Sequence, residues 1–131
     1  MEVLTFLDFY TWTRDAALVM KYVTDVFLAG QDTNLEHRVQ AYSEVQARLQ
    51  SVTNPAGSLH DGSGLGEAKF KVNLRPYLRN WGRPQRDGPA LRAITMMGYA
   101  KHLVENDQVA TAREMMWPVI RNDLSYVAQY W

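Results

Sequence analysis

The chain has no cysteine, no net charge and no long apolar run, and each absence excludes a class of protein. Without cysteine there is neither a disulfide nor a thiolate metal site. Fourteen basic residues balance fourteen acidic ones, so no global field draws the chain to nucleic acid or to an anionic membrane. No apolar stretch approaches the ~20 residues of a membrane-spanning helix. The 131 residues are therefore expected to form one modest domain.

Two further absences concern targeting and metals. The first eight residues, Met-Glu-Val-Leu-Thr-Phe-Leu-Asp, lack the basic segment and the apolar core of an export signal, so we expect no signal peptide in this chain. The three histidines, His37, His60 and His102, have no spacing typical of a zinc site. We therefore predict no metal and no cofactor.

Apolar residues recur at helical spacing, and no segment alternates as a strand would, so we predict an all-α fold. The segment 13–28 is apolar on nearly every side, which predicts a buried helix that stops at Gly30. The next helix is amphipathic and should lie outside. Its start at Thr33 has the spacing of a capping box.

The second half repeats this order. A helix over about 89–106 again has a broad apolar surface and should lie inside. Asp107 is expected to cap an outer helix that Pro118 breaks or kinks. The chain is thus predicted to form four or five helices in two inner/outer hairpins, joined by a long loop over 53–88.

The loop over 53–88 is predicted to be functional. Loops of this length are usually functional or disordered, and aromatic residues recur among its bases, which a disordered linker has little reason to contain. Residues 69–92 hold seven bases against one acid.

The starts of both inner helices carry the same residue types. Trp12-Thr-Arg-Asp15 precedes the first, and Trp81-Gly-Arg-Pro-Gln-Arg-Asp87 precedes the third. Carboxylates and guanidiniums hydrogen-bond adjacent hydroxyls, and indole packs on apolar C–H faces, so the pattern indicates a polyhydroxylated ligand such as a sugar. For Asp87, a helix cap and a hydroxyl acceptor remain equal alternatives.

Several of these segments resemble a known family, the glycoside hydrolases of family 15, the fungal glucoamylases. The resemblance spans nearly everything from Phe9 onward, in the motifs Phe9-Tyr-Thr-Trp-Thr-Arg-Asp15, Ser51-Val-Thr-Asn-Pro-Ala-Gly57, Gly64-Leu-Gly-Glu67, Trp81-Gly-Arg-Pro-Gln-Arg-Asp-Gly-Pro-Ala-Leu-Arg92 and Trp117-Pro-Val-Ile-Arg-Asn-Asp-Leu-Ser-Tyr-Val-Ala-Gln-Tyr-Trp131.

The resemblance implies a fold and an activity. The fold would be an (α/α)6 toroid, of which residues 1–131 supply the N-terminal third. The activity would be release of glucose from the non-reducing ends of α-1,4-glucans such as starch, with inversion, by a secreted enzyme. The positions matching Trp12, Arg14 and Asp15 would line the subsite for the terminal glucose, and Trp81 would pack beside the bound chain.

The resemblance also implies that this chain lacks its catalytic residues. The family's general acid follows the position of Trp131, and the general base lies far beyond it. Asp8 stands where the family usually has a tyrosine. Asp15 and Asp87 are poor substitutes for a general acid, because a neighbouring arginine and the helix dipole both favour their charged forms.

Two other interpretations stay open. The chain could be a non-catalytic sugar-binding product, or a single-stranded nucleic-acid binder built on the bases of 69–92. We predict no nucleic acid and no membrane among its partners. Self-association through uncovered apolar faces of the inner helices is also expected.

Overall fold

The computed structural model describes residues 10–131, so the expectations for Asp8 and for the segment before it lie outside the described residues. The helices are α1 (Thr13–Leu28), α2 (Glu36–Gln50), α3 (Asp87–Glu105), α4 (Val109–Thr111) and α5 (Trp117–Tyr130), with a π-helical turn at Ala112–Met116 that joins α4 to α5. The predicted helical order is confirmed. In the described part of the chain, no helix is long and apolar enough to cross a membrane.

The chain also contains two short strands that no alternation in the sequence indicated. β1 (Tyr10–Trp12) pairs antiparallel with β2 (Lys69–Lys71). Each strand has three residues, too few for alternation to show in the sequence. The pairing joins the loop over 53–88 to the start of α1, where the Thr13 amide donates to the Ala68 carbonyl at 2.9 Å.

The hydrophobic core lies between the inner helices α1 and α3 and the outer helices α2 and α5. Side chains from all four meet there: Phe27, Val39, Tyr42, Met96, Tyr99, Leu103, Val119 and Ile120 are each at most 8% exposed. This arrangement agrees with the inner/outer order read from apolar periodicity.

The outward faces of α1 and α3 remain uncovered. The prediction that α1 is buried on most sides is wrong for this chain, because Val19 is 62% and Tyr22 is 72% exposed. Ile94 and Met97 on α3 are also exposed. The surface that these side chains form is apolar, as the expectation of self-association required.

Several helix boundaries are set by residues other than the predicted ones. Gly30 does end the first helix region, at φ 73°. Asp32, rather than Thr33, accepts from the Asn34 amide before α2. Asp107 adopts φ 62° and caps nothing. Pro118 does not interrupt the helical run from Val109 to Tyr130, because it lies in the first turn of α5, just after the π-helical turn, where a missing amide is tolerated.

A buried polar network connects three helices, and no motif in the sequence indicated it. Arg92 makes a bidentate ion pair with Asp123, at 2.8 Å from Nε to Oδ2 and 2.6 Å from Nη2 to Oδ1. Gln46 accepts from Arg92, and Gln50 donates to Asp123. Both charges are enclosed, at 2% and 0% exposed. The network fixes α2 and α5 against the inner helix α3.

Candidate functional site

The N-termini of the two inner helices meet. Arg14 Nη1 on the first turn of α1 lies 3.2 Å from Asp87 Oδ2 at the start of α3. Gly88 permits this approach, since a Cβ there would lie 3.1 Å from the Thr13 methyl carbon. The Arg14 and Asp87 side chains are 41% and 40% exposed, so both remain open to a ligand.

This ion pair decides between the two alternatives for Asp87. Arg86 is the N-cap residue of α3, and its side chain makes no capping hydrogen bond. The Asp87 carboxylate bonds to Arg14 rather than to amides of its own first turn. The cap interpretation is therefore wrong. Asp87 keeps lone pairs that could accept from a hydroxyl.

Two tryptophans that were predicted to contact the ligand, Trp12 and Trp81, also contact each other. The rings of Trp12 and Trp81 lie edge to face, with centroids 5.4 Å apart and planes at 89°. Asp15 lies exposed on the first turn of α1, and within the described structure it makes no hydrogen bond or ion pair. The structure thus brings Trp12, Arg14 and Trp81 to one place, with Asp15 beside them.

Glu67 holds the residues of this site in position, and the sequence analysis assigned it no role. It is 1% exposed. Its Oε1 accepts from the amides of Ala68 and Lys69 at 3.0 and 3.1 Å and from Trp81 Nε1 at 3.1 Å. Its Oε2 accepts from Arg83 Nε at 2.6 Å. One signal pointed to it, because Glu67 is the single acid between Asp61 and Asp87 in a basic stretch.

Lys69 lies in an aromatic cage that was also missed. Its Nζ is 3.9 Å from the ring centre of Tyr77, 4.3 Å from that of Tyr10 and 5.3 Å from that of Trp12. Such contacts favour a cation over aromatic faces. Lys69 is 6% exposed, so its charge is held beneath the Trp12 ring rather than displayed at the surface.

Arg83 explains why the basic loop is ordered. Its Nη2 donates to the carbonyls of Tyr77 at 3.1 Å and Arg79 at 2.8 Å, while Nε holds Glu67. Its guanidinium also lies 5.6 Å from the Trp81 ring. One side chain therefore fixes the loop backbone and the indole together.

The carboxylates near the site are held as hydrogen-bond acceptors by their neighbours. Glu67 has both oxygens occupied by donors, and Asp87 is paired with Arg14. Burial raises the pKa of Asp123, against the opposing charge of Arg92, but this side chain is fully enclosed and no substrate can reach it. Among the described residues, no group of three or more histidines and carboxylates could hold a metal ion.

Comparison with known proteins gives a consistent result. Residues 8–131 match the family model "Glycosyl hydrolases family 15". The chain is 56% identical over 93% of its length to a glucoamylase of Neurospora crassa, and 53% identical over 94% to Glucoamylase P of Amorphotheca resinae. It covers 20% of each of these relatives, about one fifth of their length.

Solved structures agree. The family 15 glucoamylase from Hypocrea jecorina matches at a TM-score of 0.90 and 55% identity, over 93% of this chain and 20% of that one. The Hormoconis resinae glucoamylase also matches at 0.90, with 52% identity over 94% of this chain and 21% of that one. The predicted fold class, part of an (α/α)6 toroid, is thereby confirmed.

Proposed function

The chain belongs to glycosyl hydrolase family 15, and from this premise we propose that it forms part of the glucose-binding subsite of a glucoamylase-like enzyme. The substrate would be an α-1,4-glucan such as starch, cleaved from its non-reducing end with inversion. Residues 1–131 would be the N-terminal third of the catalytic domain, and the enzyme would be secreted. The observation that carries the proposal is the meeting of two inner helix starts at the Arg14–Asp87 pair.

The geometry suits a sugar. Arg14 presents donors, and Asp15 and Asp87 present acceptors, so adjacent hydroxyls of one ring can each find a partner. The indole of Trp81 offers a surface for the C–H face of a sugar. Glu67 and Arg83 already hold that indole, so little side-chain freedom is lost on binding.

Catalysis would need carboxylates other than those at this site. An inverting glycosidase uses a protonated acid and an ionised base ~6.5–9.5 Å apart. The ion pair of Asp87 and the four donors on Glu67 favour fixed acceptors over a proton donor. We therefore expect no glucose release from maltose or starch by this chain alone, measured against a heat-treated control.

Nucleic-acid binding is the weaker candidate. Three of the seven bases in residues 69–92 are engaged within the protein. Lys69 is held by aromatic rings, Arg83 by Glu67 and Arg92 by Asp123. Binding to single-stranded oligonucleotides would fall steeply with salt, because phosphate contacts release counterions. Sugar binding should change little with salt.

The test of the proposed subsite is calorimetry with maltose or a glucoamylase inhibitor. A hydrogen bond to a charged group contributes ~1.5–3 kcal/mol, so Asp15→Ala should weaken binding at least about tenfold. Trp81→Ala should weaken it as well. Asp25→Ala is the matched control, because Asp25 lies on the same helix in an exposed pair with Lys21. If neither Asp15→Ala nor Trp81→Ala changes the affinity, the subsite is placed wrongly.

The uncovered faces of α1 and α3 favour self-association of this chain. Monomers rarely expose contiguous apolar patches above roughly 300–600 Å². Light scattering should therefore show species larger than a monomer, and Val19→Glu or Tyr22→Glu should reduce them. Leu124→Glu, at an exposed position on α5, is the control. A monodisperse wild-type monomer would contradict this expectation.

A further inference from the structure

A cavity of about 300 Å³ lies beside Arg83, between the loop over 53–88 and the end of α5. Its walls include Ser63, Arg83, Pro84, Arg86, Tyr126 and Tyr130. Two of these side chains are cationic, and no lining residue is acidic. The chain as a whole is neutral, so this local excess of positive charge belongs to the cavity.

Tyr126 brings an unused donor to the cavity. The residue is 3% exposed, and its hydroxyl makes no hydrogen bond within residues 10–131, but the oxygen itself is accessible and is not among the enclosed unpaired atoms of the described residues, which are the Thr24 and Tyr42 hydroxyls. It packs closely at Gly66, where a Cβ would lie 2.5 Å from the hydroxyl oxygen. Burial raises the pKa of Tyr126, and the nearby charge of Arg86 lowers it by less, so the hydroxyl stays protonated at neutral pH. The Tyr126 O–H group is therefore free to donate to a ligand in the cavity.

The two arginines have donors left over. Arg83 uses Nε for Glu67 and Nη2 for two carbonyls, which leaves Nη1 without a partner in the described part of the chain. The Arg86 guanidinium makes no hydrogen bond or ion pair among the described contacts. The neighbouring carboxylate of Asp61 is engaged with Ser63 and does not neutralise either of them.

We propose that this cavity is a binding site for a small oxyanion, such as a phosphate or carboxylate group, held by Arg83, Arg86 and the Tyr126 hydroxyl. A guanidinium presents N–H groups in a planar fork that matches the oxygens of such a group. The phenol adds a neutral O–H donor. The stacked rings of Tyr126 and Tyr130, 5.0 Å apart, close one wall.

The site is separate from the proposed sugar subsite, although Arg83 borders both. Arg83 Nε bonds to Glu67, whereas neither Glu67 nor Trp81 lines the cavity. Phosphate binding can be measured with no sugar present.

The test is calorimetric titration of the 131-residue chain with inorganic phosphate, at constant ionic strength maintained with chloride. Glucose 6-phosphate and glucose are titrated in parallel. Saturable phosphate binding is expected, with none by glucose at this site. Tighter binding of glucose 6-phosphate than of phosphate that is lost in Arg86→Gln identifies a sugar phosphate as the ligand of the cavity, and equal or weaker binding identifies the free anion.

Three variants locate the binding. Arg86→Gln should weaken phosphate binding roughly tenfold or more, since it removes a charged hydrogen bond. Tyr126→Phe should weaken it several-fold while keeping the buried ring. Arg79→Gln removes one charge from an exposed position on the same loop and should leave the affinity unchanged. Circular dichroism verifies that each variant is folded. Absence of saturable phosphate binding, or an equal loss in Arg79→Gln, would overturn the proposal.

Discussion

Replacing Glu67 by glutamine separates its charge from its shape. The carboxylate accepts three N–H groups on Oε1 and the Arg83 Nε on Oε2. A glutamine amide offers one oxygen and one NH₂ group. The better orientation keeps the oxygen toward the three donors, including Trp81, and turns the NH₂ group toward the Arg83 N–H.

The size of the effect follows from burial. The Glu67 side chain is 0% and that of Arg83 12% exposed, so water can replace little of the lost 2.6 Å ion pair. Breaking a buried pair costs ~3–5 kcal/mol. Arg83 keeps its two carbonyl acceptors, which reduces its penalty toward the ~1.5–3 kcal/mol of one charged hydrogen bond. We therefore expect Glu67→Gln to lower the free energy of unfolding by about 2–3 kcal/mol.

Urea denaturation followed by circular dichroism measures this loss, and tryptophan fluorescence reports on the site. In Glu67→Gln the Trp81 indole keeps its acceptor, so its emission should stay close to that of the wild type. Glu67→Ala removes that acceptor and should change the emission as well as the stability. The matched control is Asp87→Asn, since this half-exposed pair with Arg14 should be worth only ~0–1 kcal/mol.

Two outcomes would refute the reasoning about Glu67. If Glu67→Gln lost less than about 1 kcal/mol, no more than an exposed pair, burial of the Glu67–Arg83 pair would not set its strength. If Glu67→Gln and Glu67→Ala changed the fluorescence equally, the Trp81 bond would not depend on the retained oxygen.

The remaining predictions concern the scaffold. Arg92→Met leaves the enclosed Asp123 unpaired and should cost ~3–5 kcal/mol in urea denaturation, whereas Lys21→Met breaks an exposed pair of the same 2.6 Å length and should cost about 0.5 kcal/mol or less; equal losses would contradict this. Gly57→Ala should lower the melting temperature clearly, because φ is 143° and a Cβ would lie 1.7 Å from a serine oxygen. Gly82→Ala, with nothing within 4 Å of the added Cβ, should change it little.

The helices and the composition of the site could be predicted from the sequence. A helix buries one stripe of its surface, so its apolar spacing is a local property of the chain. α1 and α3 were found in this way, and Gly30 marked the end of the first. The contact between Trp12 and Trp81 joins two inner helix starts that carry the same residue types in the sequence.

The strands and the course of the last helix could not be predicted. β1 and β2 are three residues long and are stabilised by each other, although the paired residues Thr11 and Phe70 are 59 positions apart in the sequence. A proline is expected to interrupt a helix, but Pro118 lies in the first turn of α5, directly after a π-helical turn that the apolar spacing does not indicate. The strands could not be predicted because their stability comes from contacts between distant segments.

The burial of charge was decided by the tertiary structure alone. Glu67, Lys69 and Asp123 look in sequence like surface residues, yet each is at most 6% exposed. Burying a charge is unfavourable unless partners surround it. Those partners are Arg83 for Glu67, aromatic rings for Lys69 and Arg92 for Asp123. They come from other segments, so no local pattern records them, and only the folded chain brings them within bonding distance.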